Sequence, residues 1–306
     1  MNISTRKIDI FENTLRRIGD LLDILLIDRT TKKNIIWATD SYKERGEGYL
    51  AKKCIKPALV TGENGMLIQP RAAKSLTEQR NRTKDKAEVF TPLKIVDQIN
   101  KAVEIEIPNT NNWQEYVKEL KLEITCGEAP FIVSRYDPVA HTGKLIPLDK
   151  RVGFLDKKLK VVSKYCKDKK EWLFWAKEAF KTSYGYEWQG DNVLLARENL
   201  LYTLIDYHKA KFKKSPVLSI QEEFAEIISW NIFQMDGLRY VIPLSCHHEI
   251  KIIKGMSTLF EEKQDTVEKY ECEGCKYNRP DKHNGRYVKI MDWSKNKAVR
   301  FADLIS

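Results

Sequence analysis

The sequence is most informative at first in what it lacks. No apolar run in its 306 residues approaches the roughly 18–20 that a membrane-spanning helix requires. The longest, Leu21 to Ile27, is broken by Asp23 and belongs to an amphipathic pattern. No membrane association is expected. The opening Met1-Asn2-Ile3-Ser4-Thr5-Arg6-Lys7 lacks the charged, apolar, small-residue order of a signal peptide. The six cysteines do not form a disulfide framework: Cys54, Cys126 and Cys166 are scattered, and only Cys246, Cys272 and Cys275 are grouped. Together these absences point to the cytoplasm. There is no convincing Asp…Glu-x-Lys cluster of the kind nucleases use, and no Pro-Pro dipeptide anywhere.

Positive charge is in surplus. The net charge is +10, and cationic surface favours polyanionic partners because phosphate neutralisation releases counterions. Many basic soluble proteins have no such partner, so charge only raises the expectation of DNA. From Arg71 to Lys86 the chain reads RAAKSLTEQRNRTKDK. This stretch suits either a phosphate-contacting segment or the solvated face of a helix.

Periodicity supplies the architecture. Ile10, Leu15, Ile18, Leu22 and Leu25 fall at helical spacing over residues 8–27, and residues 34–38 suggest a short strand. After Glu88 the order is strand 122–125, strand 184–187, a long helix from Asn192 to about Lys211, a helix from Ile220 to about Ile228, and strand 231–235. Alternation of this kind predicts an α/β fold with a largely parallel sheet. Trp172, Trp175, Phe180 and Trp188 are expected to be core between these elements, with base stacking as the other reading.

In open parallel sheets ligands bind beyond the carboxyl ends of the strands. Three loops fall there. Gly127, in Thr125-Cys126-Gly127-Glu128-Ala129-Pro130-Phe131, permits close backbone approach to a ligand. Glu187, ending Tyr184-Gly185-Tyr186-Glu187, places a carboxylate where it can accept from ribose hydroxyls. Asp236, in Met235-Asp236-Gly237-Leu238, offers a carboxylate to an exocyclic amine. Each alone is also an ordinary turn, and the signal lies in their order.

These blocks resemble the class I, S-adenosylmethionine-dependent DNA adenine-N6 methyltransferases of the gamma arrangement found in restriction–modification systems. Ala87-Glu88-Val89-Phe90-Thr91-Pro92 is similar to that family's opening motif, whose Phe and Thr-Pro lie over the methionine part of the cofactor. Thr125 to Phe131 is similar to its Cys-Gly-x-Gly-x-Phe loop. Glu187 with Ala196-Arg197 and Asn199-Leu200 resembles its ribose-binding strand end and following helix. Asp236-Gly237 resembles its adenine-binding motif. More closely, the chain is similar to the short "restriction endonuclease subunit M" proteins, through Gln69-Pro70-Arg71, Arg82 to Pro92, and Arg151 to Leu159. Asp156 in the last block is a candidate site residue, with a capping or surface role as the other reading.

The resemblance implies a Rossmann-like methyltransferase sheet over residues 87–240 with an insertion at about 132–181. A mainly helical, basic region (1–86) would precede it, and a Cys/His-containing, partner-facing segment (241–306) would follow. It implies cofactor contacts from Phe90, Thr91, Pro92, Thr125, Cys126, Gly127, Glu128, Glu187, Asp236 and Gly237.

Two departures matter. The second glycine of the loop is Ala129, followed by Pro130, whose bulk would narrow the approach to the cofactor. The family's Asn/Asp-Pro-Pro-Tyr/Phe motif, which holds the flipped adenine's amine and stacks on its base, is missing. The resemblance therefore implies a cofactor-binding subunit, inactive alone, with a second polypeptide supplying that motif and target recognition. The alternative is a non-catalytic DNA-binding or regulatory protein on a degenerate methyltransferase fold.

One cluster stands outside the resemblance. Cys272-Glu273-Gly274-Cys275, with Cys246 before it and His283 after it, has the ligand types of a tetrahedral zinc site. A reduced, metal-free loop is the competing reading.

Overall fold

The computed structural model describes residues 20–86, 89–104, 112–140, 144–253 and 266–305. Ile10, Leu15 and Ile18 of the expected first helix lie outside them, as do Ala87 and Glu88. The described helices are α1 Leu21–Leu26, α2 Pro57–Val60, α3 Leu76–Lys86, α4 Leu93–Ala102, α5 Trp113–Lys118, α6 Phe154–Tyr165, α7 Lys169–Lys181, α8 Gly190–Phe212, α9 Leu218–Asn231 and α10 Glu273–Tyr277. The strands are β1 Lys121–Glu123, β2 Ser183–Glu187, β3 Ile232–Gln234, β4 Glu249–Ile253, β5 Thr266–Tyr270, β6 Lys289–Asp292 and β7 Lys297–Arg300.

The expected α/β character is present. β1, β2 and β3 form a parallel sheet in that order, with Leu122 opposite Tyr184 and Tyr186 opposite Phe233. The parallel order requires a crossover before each new strand. α6 and α7 fill the first and α8 and α9 the second. β4–β5 and β6–β7 are separate antiparallel hairpins. No helix among the described residues is long and apolar enough to cross a membrane. The described part of residues 1–86 is helical only in α1–α3 and four 3-10 turns. Residues 34–38 make isolated bridges, Ile27 to Asn34 and Ile36 to Cys54, in place of the expected strand.

α8 carries weak amphipathic signal because it is buried nearly all round: Val193 to Leu201 are all inaccessible or nearly so. Trp172 and Phe180 pack in the main core, as expected of them, while Trp175 and Trp188 are half-buried. A second, smaller cluster joins Tyr186, Phe233 and Met235 to Val288, Ile290 and Phe301 of the C-terminal hairpin. That hairpin therefore packs on the chain's own sheet.

Arg197 knits these layers. Its guanidinium is fully buried and donates to the carbonyls of Leu25 in α1, Ile27 just after it, Ser229 in α9 and Ile232 in β3. Burial lowers its pKa to about 9, so it stays charged at neutral pH. Replacing it with methionine would strand those carbonyls at about 1–3 kcal/mol each. We expect Arg197→Met to lose on the order of 4 kcal/mol of stability or more, the low end of four such losses. Urea unfolding measures it, and an unshifted midpoint would disprove the role.

Candidate functional site

The three parallel strands bring the expected loops to one end of the sheet. Directly after β1 the backbone turns three times into left-handed space, at Thr125 (φ 45°), Gly127 (φ 53°) and Ala129 (φ 62°). Glycine takes this conformation freely, and side chains with Cβ take it at a cost. Gly127 has a second reason to be glycine. A Cβ there would lie 2.9 Å from the Phe90 ring, so the ring rests on the loop backbone.

Glu187 holds the loop from the other side. Its Oε2 accepts the Gly127 N–H at 2.9 Å, and its Oε1 accepts the N–H groups of Trp188 (2.8 Å) and Gln189 (3.0 Å). Burial raises its pKa and these three N–H groups oppose the rise. Glu128 is also buried. It accepts the Arg71 N–H at 2.7 Å and the Tyr136 hydroxyl at 2.7 Å. The Arg71 guanidinium sits 5.2 Å from the Phe90 ring centroid, within cation–π range. Phe90, Gly127, Glu128 and Glu187 are thus joined in one assembly, and Arg71, which was not among the expected cofactor contacts, belongs to it.

The other expected residues vary in what they present. Thr91 is half-buried, and exposed Pro92 caps α4. Thr125 is exposed. Cys126 is buried: burial pushes its thiol up, and its sulfur packs on Gly185. Its N–H donates to Tyr186, so the residue contributes backbone and packing. Ala129 is fully buried, so its methyl burdens the backbone rather than the approach of a ligand. Asp236 follows β3, beside Glu187, whose carbonyl accepts from Met235 at 3.0 Å. Its carboxylate accepts from the N–H groups of Leu238 (3.0 Å) and Arg239 (3.2 Å) and lies 3.5 Å from Arg239 Nε. Gly237 faces the Tyr186 ring, 2.7 Å from where a Cβ would stand.

Two cations of the basic run face inward. Lys74 and Arg82 are buried, and Arg82 pairs with Asp191 at 2.9 Å, where the Tyr42 hydroxyl also donates at 2.8 Å. Burial opposes charge on Asp191, yet Arg82 and Lys74 outweigh it and hold the carboxyl below its ordinary range. Arg80 and Lys84 remain exposed. The sequence carried one signal for this pairing, an acid in the first turn of a long helix. The surface or capping role considered for Asp156 is overturned. It is fully buried, accepts from the Ser134 N–H at 2.7 Å, and lies 4.0 Å from Arg151.

Beyond this sheet, Cys246, Cys272, Cys275 and His283 converge, their ligand atoms all within 4.8 Å of one another. His283 Nδ1 is 3.6 Å from each of the three sulfurs. Zinc bonds of about 2.3 Å to sulfur and about 2.1 Å to nitrogen, at tetrahedral angles, separate the two ligand types by about 3.6 Å. The cluster has the dimensions and donor set for a zinc ion. Burial raises the Cys246 thiol to about 12, and a bound cation would favour its thiolate. The Asn284 N–H donates to Cys272 Sγ at 3.3 Å, an outer contact of the kind that orients metal ligands.

Comparisons with protein-family models, curated proteins and solved structures find no match for this chain.

Elemental analysis of protein purified without chelator should find about one zinc per chain. Cys272→Ser and Cys275→Ser should each lower metal content and melting temperature, and stoichiometric absence of metal from the parent would rule the centre out.

Proposed function

We propose that this chain binds S-adenosylmethionine at the β1–β2–β3 ends on a Rossmann-like sheet. In this reading it is the cofactor-binding subunit of a DNA adenine-N6 methyltransferase. One observation carries the proposal. Four blocks far apart in sequence, around Phe90, Gly127, Glu187 and Asp236, meet at the carboxyl ends of adjacent parallel strands, where such sheets bind nucleotides. Each block offers the group its role needs: a ring over the loop, an open glycine backbone, and two acidic strand ends. Glu187 Oε2 uses one lone pair on Gly127 and keeps another for a ribose hydroxyl.

The adenine amine is a poor nucleophile, so its hydrogens must be oriented toward acceptors as N6 faces the methyl group. Within these residues Glu187 and Asp236 are committed to the cofactor, and no Asn/Asp-Pro-Pro-aromatic motif is present. A second polypeptide supplies it, with target recognition. The sheet offers such a partner a place. Among the described residues β1 pairs only with β2. Lys121 donates to Thr182 on that side, so by strand alternation the Leu122 backbone faces the open edge. Leu120, Leu122 and Ile124 are 72%, 43% and 64% exposed along it. Unpaired apolar edges of this kind invite an added strand.

Calorimetry should show the chain alone binding S-adenosylmethionine or its demethylated product. Glu187→Ala should weaken binding by about 1.5–3 kcal/mol, the loss of a charged hydrogen-bond acceptor; unchanged affinity would refute the ribose assignment. The chain alone should not methylate DNA. Activity should appear on co-expression with a polypeptide bearing the missing motif, and Leu120→Asp should abolish that partnership while sparing cofactor binding. Robust adenine methylation by the highly purified single chain would refute the split-enzyme reading.

A further inference from the structure

The Cys3His centre and Asp236 are the two ends of one short ribbon. From Asp236 the chain turns back on itself, Asp236 donating to the Val241 carbonyl at 2.8 Å. Val241 bridges both Asp236 and Tyr287. Ile242 donates to Arg286 at 2.8 Å, Val288 to Tyr240 at 3.0 Å, and Arg286 to Ser245 Oγ at 3.0 Å. Residues 240–245 and 285–288 therefore run antiparallel, and just outward lie the ligands Cys246 and, one residue past Asn284, His283. There the two arms are in close contact. A Cβ on Gly285 would lie 2.9 Å from Cys246 Sγ, and His247 and Asn284 exchange hydrogen bonds at 2.8 and 3.2 Å. Arg239, the partner of Asp236, also acts electrostatically on Cys275 and His283.

Little else closes this end. The main core has no fully buried member beyond Ile232, and among the described residues the smaller cluster reaches the ribbon through Ile242, Val288 and half-buried Tyr240, whose ring lies 5.8 Å from that of Phe301. More than thirty residues separate Cys246 from His283, and holding such a loop closed opposes chain entropy. Metal bonds to Cys246 and His283 at the arm ends, and to Cys272 and Cys275 in the segment between them, would offset that cost where it is greatest.

We propose that the metal centre is a clamp on the Asp236 turn. Zinc held by Cys246, Cys272, Cys275 and His283 fixes the two arms in register and thereby sets the position of the Asp236 carboxylate. Removing zinc frays the ribbon inward to Val241 and leaves the parallel sheet intact. The consequence for cofactor affinity rests on the function proposed above; the clamp itself does not.

Hydrogen–deuterium exchange on the full chain tests it, comparing protein stripped with chelator under reducing conditions with the same protein given one equivalent of Zn²⁺. Zinc should slow exchange at least ten-fold at the Asp236, Tyr240, Ile242 and Val288 amides, and leave the Cys126 and Met235 amides of the sheet ends unchanged. Equal exchange at the ribbon amides in both forms would overturn the proposal. So would a loss of protection spread evenly over β1–β3, which marks a metal needed for the whole fold. In calorimetry, zinc-free protein should bind S-adenosylmethionine at least ten-fold more weakly. A chain that binds no cofactor in either form would overturn the function proposed above, and the exchange pattern would still decide the clamp.

Discussion

The arrangement at the sheet ends depends on one buried carboxylate. Glu187 accepts three backbone N–H groups from two directions, one from the loop after β1 and two from the approach to α8. Those N–H groups would otherwise be unpaired at a crowded junction, where each orphan costs about 1–3 kcal/mol. With Glu187 in place the loop can stay open and the chain can enter α8 without a side-chain cap of the usual kind. The start of a 23-residue helix also favours negative charge nearby. Desolvation pulls against this by raising the carboxyl's pKa. The sign is therefore adverse to folding at high pH. This group's contribution is fully present below its unfolded pKa and declines as pH rises through the folded value.

Glu187 fixes Gly127, itself in left-handed space, and the loop takes two further left-handed turns at Thr125 and Ala129. An alanine in left-handed space costs about 1–2 kcal/mol. Glycine there would cost about 0.5–1 kcal/mol in entropy and forfeit about 0.8 kcal/mol of methyl burial. The two choices nearly balance. Ala129, buried from solvent, is therefore a neutral exchange for the glycine of the resembling family, and its bulk points into the core. Backbone held away from its minimum persists only when the surroundings over-determine it, and here Glu187, the Phe90 ring and the core around Ala129 do so.

Much of this was legible in sequence because the signals were local and repetitive. β2 and α8 were read within two residues, since a strand ending in an acid followed by a long apolar helix has few other interpretations. The Cys-x-x-Cys with its outlying Cys246 and His283 was readable because metal chemistry restricts donors to a few residue types. What escaped was charge turned inward. Lys74 and Arg82 look like surface cations in a basic run, and only the tertiary fold brings Asp191 to Arg82. Arg197 was visible as part of a motif, but its carbonyl partners lie up to 172 positions away, at Leu25. Asp156 misled for the same reason, because its partner Ser134 approaches only once the insertion folds. Periodicity reports which face is apolar; it does not report where a buried charge finds its partner.

The two cores differ in size, and that difference bears on the metal. The main cluster spans α1 to β3 and buries large side chains such as Trp37, Trp172 and Phe224 completely. The smaller one has seven buried members, among them Met235, Val288 and Phe301. Small apolar clusters leave little stability after chain entropy is met, and small lobes commonly rely on disulfides or metals for the remainder. Disulfides are not the device here, because all six cysteines are free. A four-ligand centre at the far end of the Asp236 ribbon supplies the missing constraint at the point least supported by packing. The acidic strand end nearest that weak lobe is Asp236, whereas Glu187 is tied directly to the strong one. Two carboxylates at one sheet end are therefore held by unlike means, one by backbone hydrogen bonds within the main fold and the other through a ribbon whose order follows the metal.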